Sequence, residues 1–122
     1  MKRALITGGG GFVGKALLQL LLKENVECAV IGRNKYPELE SLKVRCFQGN
    51  ICDKNFILST IKDYDVVFHV AALAGIWGKK ELFYNVNVIG TENIIEACIN
   101  NSIPAMVYTS TPSVVFAGKD IL

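Results

Sequence analysis

The sequence predicts an α/β fold built on a doubly wound parallel sheet, and three observations carry that prediction. Short apolar runs of strand length alternate with longer amphipathic stretches, as in successive βαβ units. A glycine run, Thr7-Gly8-Gly9-Gly10-Gly11-Phe12-Val13-Gly14, stands where the first apolar run meets the first amphipathic one. A later stretch, Asp65 to Ala72, is almost continuously apolar after its first residue, the pattern of a strand covered on both faces. At 122 residues, 51% of them hydrophobic, the chain has material for one domain with a substantial core.

Composition excludes several function classes. The formal charge of +2 comes from 13 basic and 11 acidic residues without a block of like sign, so nothing marks a nucleic-acid or membrane surface. Lys2 and Arg3 precede only a short apolar stretch, so no signal-peptide core is read. No run approaches the length of a membrane span, and a cytoplasmic location is expected. Cys28, Cys46, Cys52 and Cys98 contain no C-x-x-C pair and are read as reduced, structural thiols.

Ala4, Leu5 and Ile6 suit a buried first strand, and Phe12, Val13, Ala16, Leu17, Leu20 and Leu21 recur at helical spacing up to about Lys23 or Glu24. The glycines therefore occupy a strand-to-helix turn, where glycine permits close backbone approach and the helix N-terminus attracts a pyrophosphate. Their spacing fits Gly8-x-x-Gly11-x-x-Gly14 and Gly9-x-Gly11-x-x-Gly14, both dinucleotide-binding patterns. A nucleoside triphosphate loop is nearly matched by Gly9 to Gly14 and Lys15, but Ala16 stands where that loop needs a hydroxyl for magnesium. A ligand-free glycine hairpin would need a strand next, and a helix follows instead.

Val26 to Ile31 reads as the second strand, ended by Gly32. The residue that meets the adenosine ribose lies about 20 positions beyond the glycines, acidic for a free 2′-hydroxyl and arginine for a 2′-phosphate. Arg33 holds that position, with no acid before Pro37, so NADP(H) is expected in preference to NAD(H) and Lys35 is a second cation for the phosphate. A solvated loop arginine is the alternative. Pro37 to Leu42 allows a helical turn and Val44 to Gln48 a third strand closing at Gly49. In the turn that follows, Asn50 is placed either to touch an adenine edge or to serve the turn itself, and Asp53 reads as a helix N-cap for Lys54 to Ile61.

Asp65 to Ala72 is the fourth strand, ending in small residues that leave room for a cofactor at the sheet edge. His69, the only histidine, is read as a satisfied strand residue ahead of a catalytic one, and no ligand set for a metal accompanies it. Glu81 to Asn101 reads as a long helix whose packing face is Val86, Ile89, Gly90, Asn93, Ile94 and Ala97, with Asn87 near its start. After Pro104, Ala105 to Thr109 is the fifth strand, delivering Ser110, Thr111 and Ser113 to the same edge. The expected strand order is 3-2-1-4-5, with the binding crevice between strands 1 and 4.

Together, Thr7-Gly-x-x-Gly11-Phe-x-Gly14, Gly49-Asn-Ile-x-Asp53, Val67-Phe-His-Val-Ala-Ala72, Asn87-Val-x-Gly-Thr91 and Val107-Tyr-Thr-Ser-Thr111 resemble the extended short-chain dehydrogenase/reductase family. Tyr36-Pro-Glu-Leu39, Ala74-Gly-Ile-Trp-Gly78 and Tyr108-Thr-Ser-Thr-Pro-Ser-Val114 resemble its 3β-hydroxysteroid dehydrogenase branch, and within it the 2-alkyl-3-oxoalkanoate reductases of bacterial olefin biosynthesis. The resemblance implies a Rossmann-type domain over residues 1–122 that binds a nicotinamide dinucleotide and acts on a small-molecule substrate, a homodimer being compatible with it. It implies Gly8, Gly11, Phe12, Val13 and Gly14 at the pyrophosphate, Arg33 at the 2′ side, and Asn50 and Ile51 flanking adenine. Val70, Ala71 and Ala72 would line the cofactor with Asn87 nearby, and Thr111 takes the place of the catalytic Ser/Thr. Asn50 stands where the family usually has Asp. The family's Tyr-x-x-x-Lys pair would fall beyond Leu122, so the chain is expected to be the N-terminal part of a longer enzyme. Ketone–alcohol interconversion on a 2-alkyl-3-oxo acid or related 3-oxo or 3β-hydroxy substrate is the implied reaction. A nucleotide-sugar epimerase or dehydratase, or a non-catalytic dinucleotide sensor, shares the same first half.

Overall fold

The structure, a computed structural model, describes residues 2–8, 12–33, 36–70 and 88–108. Five strands, β1 (Arg3–Thr7), β2 (Glu27–Gly32), β3 (Arg45–Gln48), β4 (Val66–His69) and β5 (Ala105–Tyr108), form one parallel sheet in the order β3-β2-β1-β4-β5. The helices α1 (Phe12–Lys23), α2 (Pro37–Glu40), α3 (Lys54–Thr60) and α4 (Gly90–Asn100) alternate with them. This is the expected doubly wound architecture, with the order reversing at β1 and β4.

Side chains alternate across the sheet with the two-residue period of a strand. On one face, Leu5, Ala29, Ile31 and Val67 pack with Ile57 and Ile61, at and just beyond the end of α3, and with Ile94 and Ala97 of α4. On the other, Ala4, Ile6 and Val30 pack with Leu18 and Leu21 of α1 and Leu39 of α2. Each fully buried Leu or Ile contributes on the order of 1.5–3 kcal/mol relative to leaving it in water.

One expectation is corrected. The face of α1 that meets the sheet carries Gly14, Leu18 and Leu21, whereas Val13 and Leu20 are 54% and 61% exposed and Ala16 faces solvent. Leucines at 17, 18, 20, 21 and 22 surround the helix with apolar groups, so periodicity alone does not fix its phase. The fourth strand is described over Val66–His69, and Val70 just beyond it donates its N–H to Thr7, 3.3 Å from its carbonyl and 3.0 Å from its Oγ1, while Ala71 and Ala72 lie outside the described residues. β5 ends at Tyr108 among the described residues and borders the sheet, with Val107 and Tyr108 more than two-fifths exposed.

Three of the four described helix exits follow one device. After α1, Val26 N–H bonds Leu21 O and Asn25 N–H bonds Leu22 O; the same pair recurs after α2 (Val44 to Leu39, Lys43 to Glu40) and after α4 (Ile103 to Cys98, Ser102 to Ile99). This pattern requires a left-handed residue, here Asn25 (φ 62°), Lys43 (φ 66°) and Ser102 (φ 55°). The apolar residue that follows each one folds back onto the helix and sends the chain into the next strand. Asp53 caps α3 as expected, accepting the Phe56 N–H at 3.2 Å.

Candidate dinucleotide site at the carboxyl edge

Register places the ends of all five strands side by side. Thr7 pairs with Ile31 and with His69, Gly32 with Gln48, and His69 with Tyr108. The turns leaving these strands therefore share one edge, and the one between β1 and β4 is the point where the chain reverses its winding, the usual ligand crevice of such a sheet.

Gly8 begins the first turn at φ 76°, a left-handed backbone that a side chain would strain, and its N–H bonds Ile31 O at 3.1 Å. α1 opens at Phe12 with no acidic residue in its first turn, which keeps its positive end free for an anion. Gly14 is buried in that helix and Val13 is exposed on its first turn. This chemistry fits a pyrophosphate: a left-handed glycine and a helix whose own first turn carries no acidic residue, although Glu38 of α2 pairs with Lys15 of that turn at 3.5 Å.

Arg33 is exposed just past β2, and its backbone is tied to β3, with Gln48 Nε2 donating to its carbonyl at 3.3 Å. Burial pushes the Cys52 thiol above its ordinary value while the Arg33 charge pulls it back. In that turn the Asn50 Oδ1 accepts the Cys52 N–H at 2.9 Å, so the local use of Asn50 is realised through its oxygen. The Ile51 side chain is only 7% exposed and belongs to the core. Its Cδ1 lies where a Cβ on Gly90 would sit, 2.4 Å away, and its carbonyl accepts Asn93 Nδ2 at 2.9 Å.

His69 is 1% exposed and bonded through both ring nitrogens, Nδ1 to Thr7 Oγ1 at 2.7 Å and Nε2 to Thr91 Oγ1 at 2.8 Å. Its ring lies 5.4 Å from that of Tyr108. Burial lowers its pKa to about 4, so it is neutral at physiological pH, in keeping with the satisfied histidine expected from its place in a strand. Burial also holds the Cys28, Cys46 and Cys98 thiols above their ordinary values, Cys28 at about 11 with Glu27 adding to the effect. All four cysteines are free thiols.

Among the expected site residues, Gly8, Val13, Gly14, Arg33, Asn50 and Val70 come together at this edge, with Phe12 opening α1 and Ile51 turned into the core behind it. Gly11, Lys35, Ala71, Ala72, Asn87 and Thr111 lie outside the described residues, as do Val86, Ser110 and Ser113. α4 is described from Gly90, and Ile89 before it already has helical dihedrals (φ −67°, ψ −42°). Thr7, Gln48, Thr91 and Asn93 were not singled out for the site. Thr7 and Thr91 stand inside motifs already quoted, but their partners lie 62 and 22 residues away. Among the described residues no group of three or more His, Cys, Asp or Glu could hold a metal, and no helix is long and apolar enough to cross a membrane.

Residues 5–122 match the 3-beta hydroxysteroid dehydrogenase/isomerase family. A 2-alkyl-3-oxoalkanoate reductase from Shewanella oneidensis is 42% identical over 98% of this chain and 31% of its own length. The human sterol-4-alpha-carboxylate 3-dehydrogenase, decarboxylating, is 35% identical over 98% of this chain and 32% of its own length. The chain thus spans about a third of the length of these curated relatives. Among solved structures, the UDP-glucose 4-epimerase of Thermus thermophilus in complex with NAD superposes with a TM-score of 0.79 at 30% identity, over 89% of this chain and 37% of that one. The uronate dehydrogenase of Agrobacterium tumefaciens, 23% identical with a TM-score of 0.77 over 91% of this chain and 41% of that one, shares the fold.

Proposed function

Because the chain belongs to the 3-beta hydroxysteroid dehydrogenase/isomerase family, within the extended short-chain dehydrogenases/reductases, we propose that it is the dinucleotide-binding part of an NAD(P)-dependent oxidoreductase interconverting a ketone and a secondary alcohol. The observation that carries the reading is the glycine turn. Left-handed Gly8 follows β1 at the switch point and leads to a helix with no acidic residue in its own first turn. The reductase from Shewanella oneidensis supports a 2-alkyl-3-oxo acid as substrate, reduced at its 3-oxo group.

When bound, a nicotinamide dinucleotide would provide the hydride chemistry for such a reaction. The chain's own residues supply the rest: Gly8, Gly11, Phe12, Val13 and Gly14 hold the pyrophosphate, and Arg33, with Lys35, favours NADP(H) over NAD(H) through the 2′-phosphate. Asn50 and Ile51 border adenine, the first through its exposed amide and the second through its backbone. Val70, Ala71 and Ala72 line the cofactor, with Asn87 nearby. Thr111 is the catalytic hydroxyl, donating to the substrate oxygen as negative charge develops there. A threonine hydroxyl is too weak an acid to protonate that oxygen, so a separate general acid must deliver the proton. Two subordinate proposals accompany this reading, a cytoplasmic location and a homodimer.

Titrating the protein with NADPH and NADH by fluorescence, then assaying 3-oxo acids, hydroxysteroids and nucleotide sugars, tests the reading. Tight NADPH binding and turnover of a 3-oxo acid are expected. Turnover of nucleotide sugars alone would transfer the assignment to the epimerase alternative, which the Thermus thermophilus structure keeps in view. Dinucleotide binding without turnover on any substrate would favour a sensor.

A further inference from the structure

Two hydrogen-bonded contacts leave the same turn of α4 and reach different parts of the carboxyl edge. Thr91 bonds His69 Nε2 at 2.8 Å; the imidazole bonds Thr7 Oγ1 at 2.7 Å; and Thr7 is the last residue of β1, directly before Gly8. Two positions on, Asn93, 7% exposed, donates to the Ile51 carbonyl in the turn after β3. One position before Thr91, Gly90 lies against Ile51 so closely that a Cβ would force the isoleucine side chain to shift. From this geometry we infer that the first turn of α4 is a positioning element, holding the glycine turn through Thr91 and the adenosine-side turn through Asn93 and Gly90. The inference rests on the dinucleotide reading of those two turns.

Packing alone does not require these polar groups. Ile94, Ala97 and Cys98 already bind α4 to the sheet through the apolar core. A valine at 69 would continue β4 at no desolvation cost, whereas burying an imidazole there lowers its pKa to about 4. Asn93 likewise buries an amide, a cost offset through its bond to the Ile51 carbonyl. What the polar groups add is direction. Each bond ends on the backbone or side chain of a residue at or just beyond a strand end, where the sheet ladder no longer fixes conformation and where a cofactor would be sensitive to small displacements. The Thr7 hydroxyl passes the constraint across the switch point, because it also accepts the Val70 N–H at 3.0 Å and so joins the ends of β1 and β4.

The test separates the two arms by ligand. Adenosine 2′-monophosphate probes the adenosine side without a pyrophosphate, and NADPH probes both sides. In the complete protein, Thr91→Val should weaken NADPH by about tenfold and leave adenosine 2′-monophosphate unchanged, while Asn93→Leu should weaken both ligands by similar factors. Thr91→Ser should recover the wild-type NADPH affinity. If Thr91→Val does not fold, Thr91→Ala removes the same hydroxyl and carries the same expectation. Equal weakening of both ligands by the Thr91 variants, or no change with either arm altered, would overturn the positioning role. Wild-type protein that binds neither NADPH nor NADH would instead remove the dinucleotide reading, and the positioning role with it.

Discussion

Lowering the pH through the range 6.5 to 4 should destabilise the protein through His69 alone before most carboxylates respond. The ring is 1% exposed, its two nitrogens face the Thr7 and Thr91 hydroxyls, and burial depresses its pKa to about 4. An unfolded chain has an ordinary histidine at about 6.5, so between the two values it binds a proton that the folded chain does not. Stability from the neutral ring is therefore complete above about pH 6.5 and erodes as pH falls toward 4. The linkage gives a loss of about 2 kcal/mol at pH 5 and about 3 kcal/mol at pH 4. Asp65 occupies a separate window: its carboxylate accepts the Lys2 and Arg3 N–H groups, each at 2.8 Å, which lowers its pKa, so its contribution is lost only below the usual carboxylate range. Urea unfolding at pH 7.5 and 5.0 reads the difference, with the midpoint expected to fall by about 1 M. His69→Gln should be less stable at pH 7.5 and show a much flatter dependence. Because His69 is the only histidine in the 122 residues, its ring resonances in this chain can also be followed directly by NMR. A folded-state titration near 6.5 would refute the reasoning, whatever the variant does.

Three further outcomes are expected. Arg33→Asp should erase or invert the preference for NADPH over NADH, since a charge-assisted contact to a 2′-phosphate is worth roughly tenfold to a hundredfold; equal wild-type affinities in a fluorescence titration would count against it. Thr111→Ala should lower kcat about a hundredfold to a thousandfold in steady-state assays of the complete enzyme, with Thr111→Ser tolerated. Gly90→Ala sets a Cβ 2.4 Å from Ile51 Cδ1. Thermal or denaturant unfolding should show a destabilisation of about 1–3 kcal/mol from overpacking, offset by less than about 1 kcal/mol of helix propensity.

The fold was legible because its signals are local. Strand-length apolar runs, the glycine turn and Asp53 before α3 each act over a few residues, and strand order follows from alternation with helices. What the sequence hid was set by tertiary choice. Leu18 and Leu20 are equally apolar, yet one is 1% and the other 61% exposed, because only the direction of entry from the glycine turn decides which side of α1 meets the sheet. The helix exits were equally obscure: glycine is the usual mark of a left-handed cap, but Asn25, Lys43 and Ser102 take those positions, held by the apolar residue that follows each.

In the site, Gly8 and Arg33 are readable at fixed offsets along the chain, since one βαβ unit sets both. The first turn of α4 is not. Asn93 and Ile51 are 42 residues apart, and Thr91 meets Thr7 only through an imidazole on a third element. A threonine and an asparagine near a helix start look like solvent-facing or capping residues, and the sheet order that brings β4 beside β1 is what gives them partners. The sole histidine shows the same logic from the opposite side. Its position within an apolar strand marks it as buried and satisfied, and the identity of the satisfying groups reveals that its two nitrogens bridge the strand bearing the glycine turn and the helix that braces the turn after β3. With both ring nitrogens already bonded to hydroxyls, the buried ring acts as a fixed strut, because a neutral imidazole offers one donor and one acceptor at opposite ends of a rigid ring.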